Sequence, residues 1–221
     1  MNKTLTTLFA LAVASVTAFS HAQEAKGNVE AGKQKVAMCI GCHGIPGYQA
    51  SFPEVHRVPM ISGQNAKYIA AALTAYQKGE RKHPTMRGVA TSLTDQDIAD
   101  MAAYYEQHGK TGAELPAKPS REPSVQVAEL LKKGACVSCH GDNFAKPIDP
   151  SYPKIAGQHS DYLFVALKAY KADARNANLG RSNAIMGGVS KQFTNAELKA
   201  LANYIGSIEG DLHVVPQSRF R

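Results

Sequence analysis

The sequence predicts an all-α protein made of two tandem helical domains. Three observations carry this. The chain repeats itself in order; both copies show helix-start signals followed by apolar residues at helical spacing; and no stretch alternates apolar and polar residues as a strand would. The 221 residues are 44% apolar and 19% charged, enough apolar material for a core.

Residues 1–22 come first and read as an address rather than as structure. Lys3 supplies a positive start, Leu8 to Phe19 is an apolar stretch of leader length, and Ser20 and Ala22 place small residues around a cleavage point after Ala22. The expectation is an exported, periplasmic protein beginning at Gln23. No later apolar run reaches the roughly 18 to 20 residues that a membrane span needs.

The repeat begins with Cys39, Cys42, His43 and Gly44, answered by Cys136, Cys139, His140 and Gly141. Pro59, Ile61, Gly63 and Gln64 are answered by Pro153, Ile155, Gly157 and Gln158. Tyr68, Leu73, Tyr76 and Arg81 align with Tyr162, Leu167, Tyr170 and Arg175 at an offset of 94. Met86, Gly88, Val89, Thr94, Ala102 and Tyr104 align with Met186, Gly188, Val189, Thr194, Ala202 and Tyr204 at an offset of 100. The change of offset places a six-residue insertion between Arg175 and Met186. Ordered matches of unusual residues point to an internal duplication. The first domain is expected at 23–112 and the second at 124–221. Residues 113–123, bracketed by Gly112 and rich in proline, form the linker.

Within each copy, short helices are expected around Val29–Ala37 and Val125–Lys133, just before the cysteine pairs. Loops around Ile45–Arg57 and Asp142–Tyr152 look irregular. Asn65 and Ser160 are candidate caps for helices bearing Ile69 and Leu73, or Leu163 and Leu167. Thr94 with Asp97, and Thr194 with Glu197, have the form of a capping box. Behind them Ile98, Met101, Ala102 and Tyr105 repeat as Leu198, Leu201, Ala202 and Ile205 at helical spacing. Helical units of this size with long loops have thin cores, so something bulky and apolar should fill the middle of each.

Formal net charge is +7. Residues 23–112 carry 10 basic and 8 acidic side chains, and residues 124–221 carry 12 and 8. No basic run or stripe interleaved with aromatics occurs, which argues against nucleic-acid binding. The charges read as a mixed, solvated surface, with mild steering toward an acidic partner as the functional alternative.

All four cysteines sit in Cys-x-x-Cys-His, once per repeat. Two thiols about one helical turn apart can add to the two vinyl groups of one haem, and the following histidine then lies under the iron. A disulfide-exchange site would instead belong near a βαβ pattern. A single zinc would need both motifs, about 97 residues apart, at one place. Two covalently bound haem c groups fit best, with Cys39, Cys42, Cys136 and Cys139 as thioether attachments and His43 and His140 as iron ligands.

The sixth ligand decides the chemistry. Methionine gives an electron-transfer centre of raised potential, whereas an open position permits catalysis. Met86 and Met186 are the candidates, because each is matched by the other. Met38, Met60 and Met101 face Ala135, Lys154 and Leu201 and read as filler. His83 could compete for the first iron but has no aligned counterpart in the second repeat. His56, His108, His159 and His213 read as surface or loop histidines. The carbonyls of Pro59 and Pro153 could accept the second ring N–H of the ligand histidines, or simply form turns. Arg81 and Arg175 could reach haem propionates, more credibly than Tyr76 and Tyr170.

On these motifs the chain resembles the cytochrome c4 family, exported di-haem proteins of two tandem class I cytochrome c domains. The resemblance covers nearly all of 23–210 and rests on the two Cys-x-x-Cys-His motifs, the paired Pro-x-x-x-Gly-Gln segments and the two matched methionines. It implies two cytochrome c-like helical domains, each wrapped around a covalently bound haem. It implies the ligand pairs His43 with Met86 and His140 with Met186. It also implies a soluble periplasmic carrier in a respiratory chain, moving electrons from a cytochrome bc-type complex toward a haem-copper terminal oxidase, with no substrate chemistry. Transient docking to membrane complexes without a transmembrane anchor goes with this. The alternative is a di-haem oxidoreductase, a peroxidase or sulfur-compound dehydrogenase with one catalytic haem, hinted at only by His83 and the insertion. A third reading is a subunit docked in a larger oxidase or dehydrogenase.

Overall fold

In the computed structural model, residues 25–172 and 178–216 are described. The proposed leader and Arg175 lie outside them. Among the described residues the protein is helical, with a single two-stranded ribbon.

The first repeat runs α1 (Val29–Lys35), α2 (Ala37–His43), β1 (Gln49–Ala50), β2 (His56–Arg57), α3 (Ala66–Gln77), α4 (Pro84–Thr91) and α5 (Asp95–Gln107). The second runs α6 (Val125–Lys133), α7 (Val137–His140), α8 (Ser160–Ala172), α9 (Ala184–Lys191) and α10 (Asn195–Ser207). In the first repeat α5 packs on α1 and α3; in the second α10 packs on α6 and α8. The predicted helices before the cysteine pairs are present, but the first stops at Lys35. Its neighbour α2 then contains the whole first motif.

Both capping boxes form as expected. Thr94 Oγ1 accepts from Asp97 N while the Asp97 carboxylate accepts from Thr94 N, and Thr194 and Glu197 repeat the arrangement. The apolar faces behind them are buried. The expected caps at Asn65 and Ser160 differ. Asn65 makes no cap bond, because Ala66 N donates to the Glu106 carboxylate and Asn65 Nδ2 is drawn to the Tyr152 carbonyl. Ser160 is itself the first residue of α8.

The loop at 45–57 is more ordered than expected. Gln49 pairs with Arg57 and Ala50 with His56, and the ribbon leaves its own repeat to lie against α8. Arg57 Nε meets Asp161 at 3.1 Å and Glu54 pairs with Lys168. Two ion pairs thus strap the first repeat to the second. A two-residue strand has too little alternation to be read from sequence, and its stabilising contacts are long-range.

Candidate haem-binding sites

The first motif lies along α2 and the second ends α7. Cys39, Cys42, Cys136 and Cys139 are all free and half-buried. Burial raises the thiol of Cys39 and brings that of Cys136 up to about 11. Both are therefore neutral thiols at physiological pH.

His43 Nδ1 lies 2.8 Å from the Pro59 carbonyl, and His140 Nδ1 lies 3.0 Å from the Pro153 carbonyl. A carbonyl only accepts, so Nδ1 carries the proton in both rings and Nε2 carries a lone pair. Burial lowers both imidazoles. The charge of Arg81 lowers His43 further, and the proline carbonyls oppose the shift. The two rings are thus neutral, fixed in tautomer and orientation, and ready to donate through Nε2. The two proline positions act as acceptors, not as plain turns.

Met86 and Met186 sit at the third position of α4 and α9, half-buried. Each helix is capped at the methionine's own N–H: His83 Nδ1 accepts from Met86 N at 3.4 Å and Asn183 Oδ1 accepts from Met186 N at 2.9 Å. His83 therefore has a counterpart, Asn183, at the same offset of 100. Burial, then His56 and the nearby arginines, brings its imidazole down to about 4, which keeps it neutral as a cap acceptor. His56 corrects another expectation. It is 5% exposed, with Nδ1 on the Glu54 carbonyl, and its ring stands edge-on to His83 at 6.1 Å between centroids. His108 also has a partner, Ser62 Oγ, at 2.9 Å.

The seam between the repeats is built by residues whose role the sequence did not reveal. Gln158 Oε1 accepts from Met60 N and its Nε2 donates to the Met60 carbonyl; Gln64 does the same to Lys154. Both glutamines are 3% exposed. The exchange is reciprocal, so the repeats face each other about a local two-fold. Burying two amides requires all their polar atoms to be satisfied, which explains why Gln occurs twice at this place. The insertion also moves. Arg81 pairs by backbone with Arg181, and each bonds back to its own helix, Arg81 N to Ala75 O and Arg181 N to Ala169 O. The partner of Arg81 is therefore Arg181 rather than Arg175, and the extra residues fall before Arg181.

The sequence profile of the cytochrome c family matches residues 29–108 and again 124–209. Cytochrome c4 of Stutzerimonas stutzeri is 32% identical over 217 residues, spanning 93% of this chain and 98% of the relative. The chain belongs to the cytochrome c4 family. The structure of reduced recombinant cytochrome c4 from Pseudomonas stutzeri matches with a TM-score of 0.63 and 27% identity, covering 83% of this chain and all of that one. A thiosulfate dehydrogenase electron acceptor from Thiomonas intermedia is 27% identical, with 89% of each chain covered.

As a cytochrome c4 family member the protein is a di-haem electron-transfer cytochrome with two covalently bound haem c groups, and not an enzyme. The residues present suit that cofactor. Each repeat offers a pair of free thiols, a neutral imidazole with its lone pair on Nε2, and a thioether at the head of a capped helix. Zinc fits less well, since among the described residues no three His, Cys, Asp or Glu side chains converge on one point. No helix among them is long and apolar enough to cross a membrane.

Proposed function

We propose that this cytochrome is a soluble periplasmic carrier of a respiratory chain, taking electrons from a cytochrome bc-type complex and delivering them to a haem-copper terminal oxidase. In this reading the chain divides as a leader at 1–22, a first domain at 23–112, a linker at 113–123 and a second domain at 124–221. Cys39 and Cys42 hold the first haem, with His43 and Met86 as axial ligands. Cys136 and Cys139 hold the second, with His140 and Met186.

The observation that supports the ligand assignment most directly is the paired histidine-to-proline bond, 2.8 Å in one repeat and 3.0 Å in the other. When bound, each haem supplies a one-electron iron couple. The chain does the rest. Pro59 and Pro153 fix the imidazoles and raise their basicity. His83 and Asn183 fix the first turns bearing Met86 and Met186. A methionine ligand favours the reduced iron and closes the position to exogenous ligands. Gln64 and Gln158 hold the two halves face to face, which keeps the sites in one rigid arrangement.

A second reading is favoured by the likeness to a thiosulfate dehydrogenase electron acceptor. Here the donor is a sulfur-compound dehydrogenase, and the carrier chemistry is unchanged. Mixing the reduced and oxidised carrier with membranes containing each complex distinguishes the donors by rate. The ligand assignment is tested by optical spectra with carbon monoxide. Two haems per chain, a methionine-to-ferric-iron charge-transfer band and no carbon monoxide binding are expected. One haem that takes carbon monoxide in the unaltered protein would overturn the closed-site reading.

A further inference from the structure

Each ligand histidine leans on a peptide group that the other repeat also holds. The Pro59 carbonyl accepts from His43 Nδ1 at 2.8 Å, and the N–H of that same peptide, Met60 N, donates to Gln158 Oε1 at 3.0 Å. The second repeat mirrors this. The Pro153 carbonyl accepts from His140 Nδ1 at 3.0 Å, and Lys154 N donates to Gln64 Oε1 at 3.0 Å. One planar amide therefore stands between each imidazole and a glutamine of the opposite repeat.

The glutamine amides are fixed in orientation. Gln158 Nε2 donates to the Met60 carbonyl at 2.8 Å, and its Oε1 also accepts from His159 N at 3.0 Å. Gln64 Nε2 donates to the Lys154 carbonyl at 2.9 Å, and its Oε1 also accepts from Asn65 N at 3.0 Å. A flipped amide would set its NH2 against two N–H donors, so one orientation alone satisfies the site. Each glutamine lies five residues after its own proline. One segment thus gives its carbonyl to its own histidine and its glutamine to the other repeat's peptide.

The repetition follows the main chain rather than the side chains. Proline and glutamine recur, whereas the residue whose N–H is held is Met60 in one repeat and Lys154 in the other. These bonds use only its backbone. Hydrogen bonds in series polarise one another, and an amide whose N–H is held by an acceptor has a more negative carbonyl oxygen. Such an oxygen draws harder on the imidazole Nδ1–H, which puts more electron density on Nε2.

We propose that Gln158 is a positioning residue for His43 and Gln64 for His140, so that each repeat sets the ligand strength of the other's imidazole through one peptide group. The proposal rests on the ligand reading above. It goes beyond holding the halves together, since it makes each site depend on a side chain of the opposite repeat. A stronger imidazole donor stabilises ferric iron, so loss of a glutamine raises the potential in the opposite repeat. Water entering an opened seam acts the other way, because it favours the more charged ferric state. The sign of the shift therefore separates positioning from a purely structural role.

The test uses the full-length, haem-loaded protein, with potentiometric titration and proton NMR of the two imidazole Nδ1–H groups in the reduced state. Gln158→Met keeps the length of the side chain and removes both bonds to Met60. It is expected to speed exchange of the His43 Nδ1 proton with water about threefold, while His140 stays as it was. The first midpoint should rise by about a threefold change in its one-electron equilibrium, or about 28 mV, with the second unmoved. Gln64→Met gives the crossed result, at His140 and the second midpoint, and carries the test if the Gln158 variant does not fold. Gln158→Glu keeps an oxygen for Met60 N in either protonation state and returns both signals toward their original values. A shift in the variant's own repeat, equal shifts in both, a fall in potential or no shift overturns the coupling and leaves the carrier reading intact. An unaltered protein without two covalent haems, or without both imidazoles on iron, overturns the ligand reading and the coupling with it.

Discussion

Among the described residues the core cluster of the first repeat holds six buried apolar residues, Val36, Ile69, Met101, Ala102, Tyr104 and Tyr105. That of the second holds fourteen, with Phe144, Leu198 and Ala202 almost wholly enclosed. Both carry the same donor set. The first repeat compensates in two ways. A polar cluster ties α1 to α5, where Asp100 accepts from Asn28 N, Lys35 Nζ and Gln96 Nε2. The ribbon at 49–57 leans on α8 of the other half through Arg57–Asp161 and Glu54–Lys168. Duplication therefore preserved the chemistry of the sites and let the supporting structure diverge. A thin core leaves one half more dependent on its cofactor and on its neighbour.

The largest test of this difference is loss of one haem. Changing Cys39 and Cys42 to Ala is expected to reduce the haem count from two to one and to unfold the first repeat in the process. The same change at Cys136 and Cys139 also leaves one haem but spares more of its own helical signal. Haem quantitation with thermal circular dichroism measures both, and equal losses would break the comparison.

Core truncation comes next. Leu198→Ala, at a fully buried site, should cost about 2–5 kcal/mol. Ile69→Ala, at 8% exposure in the smaller cluster, should fall at the lower end of that range. Denaturant titration ranks them, and the reverse order would mean that the first half is the better packed.

Acid should separate the halves as well. The Lys35 ammonium above all, helped by Asn28 and Gln96, holds the Asp100 carboxyl below the usual range, against burial, which pushes it up. A carboxylate lowered in the fold stabilises it above the unfolded value of about 3.9 and loses that contribution as pH falls through the folded value. Position 200 in the second repeat is Ala. Below about pH 3.9 the first repeat is expected to loosen ahead of the second. Asp100→Asn should weaken it at neutral pH and flatten its dependence in the acid window, as followed by melting at a series of pH values.

The smallest effect belongs to the strap. Glu54→Gln removes one partly exposed ion pair and should cost about 0.2–1 kcal/mol, less at high salt. A larger loss in melting temperature would show that the ribbon, not the glutamine exchange, holds the repeats together.

Local chemistry was legible in the sequence wherever neighbours in the chain decide it. The helical class, both capping boxes and the cysteine pairs with their histidines all follow from residue type and short spacing. Such features depend on hydrogen bonds and faces within a few residues, so the order of the chain states them. Even Pro59 and Pro153 were singled out by repetition, although their carbonyl role needed coordinates. Tertiary structure alone decided what lies between the repeats. The reciprocal bonds of Gln64 and Gln158 join residues 90 and 98 positions apart. The ribbon finds its partners on α8. Sequence alignment paired Arg81 with Arg175, whereas main-chain pairing across the seam selects Arg181. Those outcomes come from satisfying buried amides and cations at an interface, a condition set by which surfaces meet, and the linear spacing of residues carries no record of that meeting.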